Sequence, residues 1–486
     1  MKNTGVQLAA HVCKAANEVS ISAGKHIPRG WSASVIGDEE NSLSLNWDDH
    51  ALQAIESEQV ADYRLRITNA VDYRDEQLIL VKLKQSSELI GTIDVRYSYV
   101  FQYFEFILDK TTAKKVVTEG LVLSCSGEMQ QLWIFNDQNK SIDQHFFVPH
   151  ILVMTAETTK IEEAIHSLLS FKSIQPFGWI EGCVLDGIDS FMYGNYSEKA
   201  NQALDTHLGQ YVTADGELVY EDLYGNIADG SFTTIEATLP VAIIAKRHPH
   251  HPLIEKAAAF FKQRMLKSAL IIDHDMVSAE GCYTVAYPLA VIAKVSQNES
   301  FAKQAIGQIL LRKKYLTTDQ DVYLRYMLDS QSYTFKNWSR AYGWYYLGLV
   351  KTYCTLMHSV YNQLPELDEL QQEIVRMSEL VLKRQQPHGL WNVFLDRPDT
   401  IVETSGSSAI AAAMAISVKE KVIGDRYLQE AEQCYRNLVK HLTNDGLLSG
   451  VSQHNAGGMQ LQLSGYRVLS QMGLGLWGQL HSALYE

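Results

Sequence analysis

Two hydrophobic periods divide the chain. From roughly residue 40 to 153 apolar and polar positions alternate with period two, in "DYRLRITNAV", "QLILVKLKQ", "TIDVRYSYVFQYFEFILD", "GLVLSCSG" and "QLWIFND". These runs are rich in Val, Ile, Tyr and Phe and are separated by short polar turns, the pattern of strands in an antiparallel sandwich. After about Thr155 the period becomes helical and stays so. One set of helices is amphipathic and charged: "YSEKANQALDTHLGQYV", "HPLIEKAAAFFKQRMLK", "SFAKQAIGQILLRKKYL", "LPELDELQQEIVRMSELVLKRQ" and "DRYLQEAEQCYRNLVKHL". A second set is apolar nearly all round: "GWIEGCVLDGIDSFM", "TTIEATLPVAIIAK", "SAEGCYTVAYPLAVIAKV", "SRAYGWYYLGLVKTYC", "ETSGSSAIAAAMAISV" and "LSQMGLGLWGQLHSAL". Helices of the second kind belong in an interior.

The two sets alternate with a repeat of roughly 45 to 63 residues. With "TKIEEAIHSLLSFK" as the first outer helix, six inner and six outer helices result. The expected fold is therefore α+β and multidomain: an antiparallel β-sandwich over 1–155, then an (α/α)6 toroid over 156–486. An open superhelix is the alternative. Closure is preferred because no polar capping repeat follows the final inner helix.

Inner helices of such a ring begin at one mouth, so their unusual first residues should converge. They are Trp179 and Glu181; Glu236; Glu280; Trp338, Arg340 and Trp344; Glu403, Thr404 and Ser405; and Tyr466 with Arg467. Acids, aromatics and arginine together suit an acidic sugar: carboxyls for proton transfer, rings for pyranose faces, a planar guanidinium for a carboxylate. Structural roles compete at each position. Thr404 or Ser405 could cap a helix, Glu236 could favour a helix dipole, Arg340 could serve a core ion pair, and Trp344 could simply pack.

Composition narrows the field. A net charge of -14 disfavours nucleic acid and anionic membranes as partners. Six cysteines at 13, 125, 183, 282, 354 and 434 form no CxxC pair and read as buried free thiols. No stretch reads as a leader or a membrane span, so a cytoplasmic protein is expected. HExxH, GxSxG, a phosphate-binding glycine loop and zinc cysteine pairs are absent from the sequence, so serine-hydrolase and nucleotide chemistry are unsupported. The N-terminal domain carries no catalytic constellation; a structural or homo-oligomerising role is expected for it, with carbohydrate contact the alternative.

Four segments resemble a known family. "NWSRAYGWYYLGLVKTY" is similar to the W-x-R-G-N-G-W segment of the unsaturated glucuronyl and rhamnogalacturonyl hydrolases, glycoside hydrolase families 88 and 105. "QQPHGLWNVFLDRPDTIVETSGSSAIAAAMA" resembles their Q-x-x-x-G-L-W … E-T-S-x-S-A block. "QPFGWIEGCVLDGI" and "YRVLSQMGLGLWGQL" resemble the first and closing inner helices. The resemblance covers about 175 to 486 and implies an (α/α)6 barrel. It also implies removal of a terminal 4,5-unsaturated uronic acid from acidic oligosaccharides, by acid/base-catalysed hydration of its double bond, with no metal or organic cofactor. The family's two aspartates match Glu280 and Glu236, so each carboxyl is carried one methylene further out. The histidine expected upstream of the W-x-R segment is replaced by "DVYLRYMLD", which offers Tyr323 and Arg325, and the central Gly-Asn becomes Ala341-Tyr342.

On this basis Glu280 is expected to be the principal general acid/base, assisted by Glu236 through like-charge proximity. Arg340 is expected to hold the sugar carboxylate, and Trp344, Trp338 and Trp179 to form walls. Glu403, Thr404, Ser405, Arg325 and Tyr466 complete the expected substrate contacts. Two glutamates about 6.5–9.5 Å apart would instead suit inverting exo-hydrolysis of a saturated β-glucuronide. A barrel that binds carbohydrate without turning it over is a further alternative, as is another (α/α)6 enzyme, a phosphorylase or lyase.

Overall fold

A computed structural model describes residues 5–13, 20–56, 60–127, 130–136, 145–155 and 159–486. The side chain of Cys13, and residues 1–4 and 14–19 on which the expectation of no leader rests, lie outside that description.

The N-terminal strands form two antiparallel sheets. One has the order Gly5–Ala9, His150–Thr155, Val60–Thr68, Tyr103–Leu108; the other His11–Cys13, Leu43–Asn46, Leu121–Cys125, Tyr73–Leu83, Leu89–Ser98. Period-two burial is clear in Tyr73–Leu83, where Gln77, Ile79, Val81 and Leu83 point inward and their neighbours outward. Ile79 and Val81 share one buried cluster with Leu65 and Ile67 of the other sheet and with Val116 of the helix Lys110–Glu119. The long alternating run at 92–109 is not one strand. It breaks after Ser98, turns through Phe101 at φ +66°, and resumes in the other sheet as Tyr103–Leu108.

The C-terminal region is helical. Trp179–Asp189, Leu239–Arg247, Tyr287–Ser296, Ser339–Met357, Thr404–Lys419 and Gln471–Tyr485 pack each against the next, and the last packs back on the first. Around them lie Lys160–Leu168, Ser197–Leu208, Pro252–Gln263, Glu299–Leu316, Leu367–Leu382 and Arg426–Leu438, each against an inner helix. Small residues permit the tight crossings. A Cβ on Gly187 would lie 2.4 Å from the carbonyl oxygen of Gly475, and one on Gly475 would lie 2.4 Å from that of Cys183. Short antiparallel strands, absent from the periodicity reading, link helices: Met276–Ser278 with Tyr323–Met327 and Ser332–Lys336, and Leu448–Ser452 with Arg467–Ser470.

The two regions are continuous. Phe101, Phe135 and Phe147 of the first join Phe171 of the second in one aromatic cluster around Trp31. Cys125, Cys183, Cys282 and Cys434 are buried free thiols, and Cys354 is a half-buried one. No helix among the described residues is long and apolar enough to cross a membrane.

Candidate active site

The mouth of the helical region is built by buried polar groups. Glu403, fully buried, caps the helix Thr404–Lys419: its carboxylate accepts from Ser405 N at 3.2 Å, Gly406 N at 2.5 Å and Ser405 Oγ at 2.6 Å. The same carboxylate accepts from Ser339 Oγ at 3.0 Å and Ser452 N at 3.1 Å. Five donors satisfy its two buried oxygens. The cap is thus Glu403 rather than Thr404 or Ser405. A Cβ on Gly406 would lie 2.6 Å from Ser339 Oγ, so the small residues after the acid let two inner helices meet. Thr404 Oγ1 donates to Ser449 O at 2.8 Å. Glu403, Thr404 and Ser405 therefore hold the mouth together from within.

Backbone pairing brings two other glutamates to one arginine. Ser278 is registered opposite Arg325 in the short sheet, and Ala279 N donates to Leu324 O at 2.8 Å, which sets Glu280 beside Arg325. Glu236 sits in the 3-10 turn Ile235–Thr238, tied to the neighbouring π-turn Cys282–Ala286 by Thr238 Oγ1 donating to Thr284 O at 2.6 Å. Arg325 Nη2 lies 3.4 Å from Glu280 Oε1 and 3.8 Å from Glu236 Oε1. With the Asn455 amide turned so that its oxygen faces the guanidinium, that oxygen accepts from both Nη atoms at 3.1 and 3.2 Å. Glu280 Oε2 and Arg325 Nε are buried without a hydrogen-bond partner in the protein. Both atoms are thus open to a further hydrogen bond.

Burial and then the Glu280 charge push the Glu236 carboxyl up to about 8, against the opposing pull of Arg325. The like charge of Glu280 is thus the second cause of the Glu236 shift, after burial. A cleft of about 140 Å³ opens beside Glu236 and Arg325, lined also by Gly178, Tyr224, Asp273 and His454. Gly178, at φ +133°, turns the chain into the first inner helix in a conformation that favours glycine. His454 Nδ1 accepts from Ala456 N at 3.0 Å, which leaves its proton on Nε2. Burial, then Arg74, Arg325 and Arg340, keep this ring neutral.

Behind Glu280 stands Arg312, fully buried. Its guanidinium donates to Ser278 O at 3.0 Å, Ile271 O at 2.7 Å and Gln308 Oε1 at 2.8 Å. A Cβ on Gly281 would lie 2.1 Å from Arg312 Nη2. Gly281→Ala is therefore expected to destabilise the protein by about 1–3 kcal/mol, as overpacking does. It should also lower turnover more than that loss of stability explains, because Glu280 is displaced. Urea unfolding beside kcat at a temperature where both proteins are folded checks both effects.

The remaining candidates do not line the cleft themselves, although the Trp179 ring lies 6.3 Å from that of His454, which does. Both Nη groups of Arg340 are taken by backbone, donating to Ser452 O at 2.5 Å and Gln453 O at 2.8 Å, with the guanidinium 4.4 Å above the Trp338 ring. Trp338 is buried and donates to Gln462 Oε1 at 3.1 Å. Trp179 and Trp344 meet edge to face at 5.4 Å beneath the mouth. Tyr466 reaches the N-terminal sheet, donating to Asp94 O at 2.9 Å under the Arg96 guanidinium. Glu181 is buried against His207 at 2.8 Å. Tyr224, Asp273, His454 and Asn455 were not singled out from the sequence. The run "SQHNAGG" before the last inner helix carries a polar signal that a survey confined to helix starts passes over.

Comparison with known proteins bears on the fold and on part of the sequence. Residues 274–484 match the family model Glycosyl Hydrolase Family 88. Unsaturated rhamnogalacturonyl hydrolase YesR of Bacillus subtilis is 28% identical over 142 residues, which are 29% of this chain and 38% of that protein. The chain thus aligns with about two-fifths of the length of this curated relative. A possible member of the GH105 family from Salmonella enterica superposes with a TM-score of 0.57 at 17% identity, over 67% of this chain and 92% of that one. A family 105 glycoside hydrolase from C. acetobutylicum gives 0.57 at 18% identity, over 67% and 98%. At these identities the superpositions speak for the fold alone. Residues 274–484 are thus similar to Glycosyl Hydrolase Family 88, and the helical region shares the fold of these family 105 structures.

Proposed function

We propose that the chain is a glycoside hydrolase that removes a terminal 4,5-unsaturated uronic acid from acidic oligosaccharides, in an (α/α)6 toroid (156–486) preceded by a β-sandwich (1–155). The observation that carries it is the meeting of Glu236 and the buried Glu280 on Arg325, with Glu236 and Arg325 lining a cleft and Glu236 pushed up to about 8. A carboxyl of that kind is protonated near neutral pH and can deliver its proton. The family 88 match over 274–484 and the likeness to an unsaturated rhamnogalacturonyl hydrolase support the substrate class.

In this reading Glu236 gives its proton to C4 of the enol ether. Water adds at C5 and yields its proton to the carboxylate pair. The C5 hemiketal opens by breaking its bond to the ring oxygen, leaving a ketone at C5. The hemiacetal thereby formed at C1 collapses to an aldehyde and releases the aglycone as an alcohol. Arg325, which stands between the two glutamates, takes the sugar carboxylate, the role the sequence suggested for Arg340. Arg340 instead anchors the 452–453 backbone beside the cleft.

The test is a set of lyase-generated unsaturated oligosaccharides from pectin, glycosaminoglycan, ulvan and alginate, run beside saturated glucuronides. Loss of the conjugated double-bond absorbance, in step with release of the shortened saccharide, is expected for at least one. Release of saturated uronic acid with no activity on any unsaturated substrate would overturn the proposal.

A further inference from the structure

One wall of the cleft is held by the N-terminal sheets. The loop at 222–226 places Tyr224 on the cleft beside Glu236 and Arg325, with half of its surface exposed. Within the loop, Asp222 Oδ1 accepts from Tyr224 N at 2.8 Å and Asn226 N at 3.0 Å, and Gly225 turns at φ +80°. The other supports come from far away in the chain. Arg74, on the strand Tyr73–Leu83, donates from Nη2 to Leu223 O at 2.7 Å and lays its guanidinium over the Tyr224 ring, 5.0 Å from the centroid. Asp72 fixes Arg74 at 2.6 Å and is itself paired with Lys25. His26 Nδ1 donates to Gly225 O at 3.0 Å, and Arg29 pairs with Asp229 at 2.9 Å.

A tyrosine beside the two glutamates, with a cation over its ring and half of its surface exposed, has that ring held in orientation while part of it stays open to a ligand. A pyranose can lay its C–H surface on such a face. Resting on the function proposed above, we propose that Tyr224 is the stacking platform for the sugar next to the terminal uronic acid. Arg74 of the N-terminal domain is then the positioning residue that holds the ring. The N-terminal sheets thereby help select the aglycone of a reaction performed by the helical region.

The experiment compares two unsaturated uronides, one with a sugar aglycone and one with a methyl aglycone, on the full chain. Tyr224→Ala should raise KM for the disaccharide about tenfold with kcat changed less than about twofold, and leave KM for the methyl uronide within about twofold. Tyr224→Phe should behave as wild type. Arg74→Ala should raise the disaccharide KM in the same selective way, and Arg74→Lys should recover part of it. If Tyr224→Ala alters both substrates equally, or neither, the platform is wrong while the hydrolase reading stands. If the wild-type protein turns over neither uronide and calorimetry detects no binding of the disaccharide, both proposals fall.

Discussion

Replacing Glu236 with glutamine is expected to lower kcat about 10²–10⁴-fold, the range for loss of a positioned general acid. The amide fills the same space, so circular dichroism and urea unfolding should show a folded protein. Turnover within tenfold of wild type would remove Glu236 from the chemistry. The pH profile gives an independent check. A donor whose carboxyl sits at about 8 is protonated below that pH and loses its proton above it. Wild-type kcat/KM should therefore fall about tenfold per unit above about pH 8. Burial is the first cause of the raised value and the Glu280 charge the second. Glu280→Gln removes the second, so whatever activity it keeps should show its basic limb moved toward lower pH. A basic limb that does not move would mean that the two carboxyls are not coupled.

The second large effect is expected far from the cleft. Asp445 accepts from Arg66 Nη1 at 2.7 Å and from Lys172 Nζ at 2.5 Å, all three side chains buried. Arg66 lies on the N-terminal strand Val60–Thr68 and also pairs with Glu105, registered opposite it on Tyr103–Leu108. The cluster joins the two regions by a network of full charges. Asp445→Ala would leave Arg66 with one carboxylate and Lys172 with none. Removing one partner of such a buried set costs about 3–5 kcal/mol. Urea unfolding followed by both tryptophan fluorescence and circular dichroism should show that loss; a change under about 1 kcal/mol would contradict the account. Burial alone would raise the Asp445 carboxyl, but Arg66 and Lys172 outweigh it and hold it well below the usual range. A depressed carboxyl stabilises the fold above its unfolded value, and that contribution is lost as pH falls through the folded one. Acid should thus weaken the wild-type junction, while Asp445→Ala should respond less to acid.

The legible part of this molecule was its periodicity. A wholly apolar helix and a charged one leave different marks, so the order of inner and outer helices could be read from residues alone. The meeting of Glu236 and Glu280 followed from the same logic, because both stand where inner helices begin. What the logic could not supply was direction. Arg340 and Arg325 are equally plausible clamps in one dimension. The short strand that sets Ser278 against Arg325, and the carbonyls of Ser452 and Gln453 that occupy Arg340, give them different surroundings, on which the proposal for Arg325 rests. Those strands have three to five residues, too short to leave a period. Tyr224 was hidden for a different reason. Its support comes from Arg74, 149 residues away from the Leu223 carbonyl it bonds, and no local pattern encodes such a partner. Glu403 belongs to the block that most resembles the family, and its five donors make it part of the frame.

The contact between Gly187 and Gly475 also governs how the molecule is made. Ser482 Oγ reaches across the same join to the Ser190 carbonyl at 2.6 Å, bridging 292 residues of chain. Contacts of such long range form late, since loop-closure entropy must be overcome before they stabilise anything. A nascent chain can thus hold Glu236, Glu280 and Arg325 together on neighbouring hairpins well before its circuit of helices is sealed. The seam would then be the last element to gain protection from hydrogen exchange, and the first to lose it under mild denaturant.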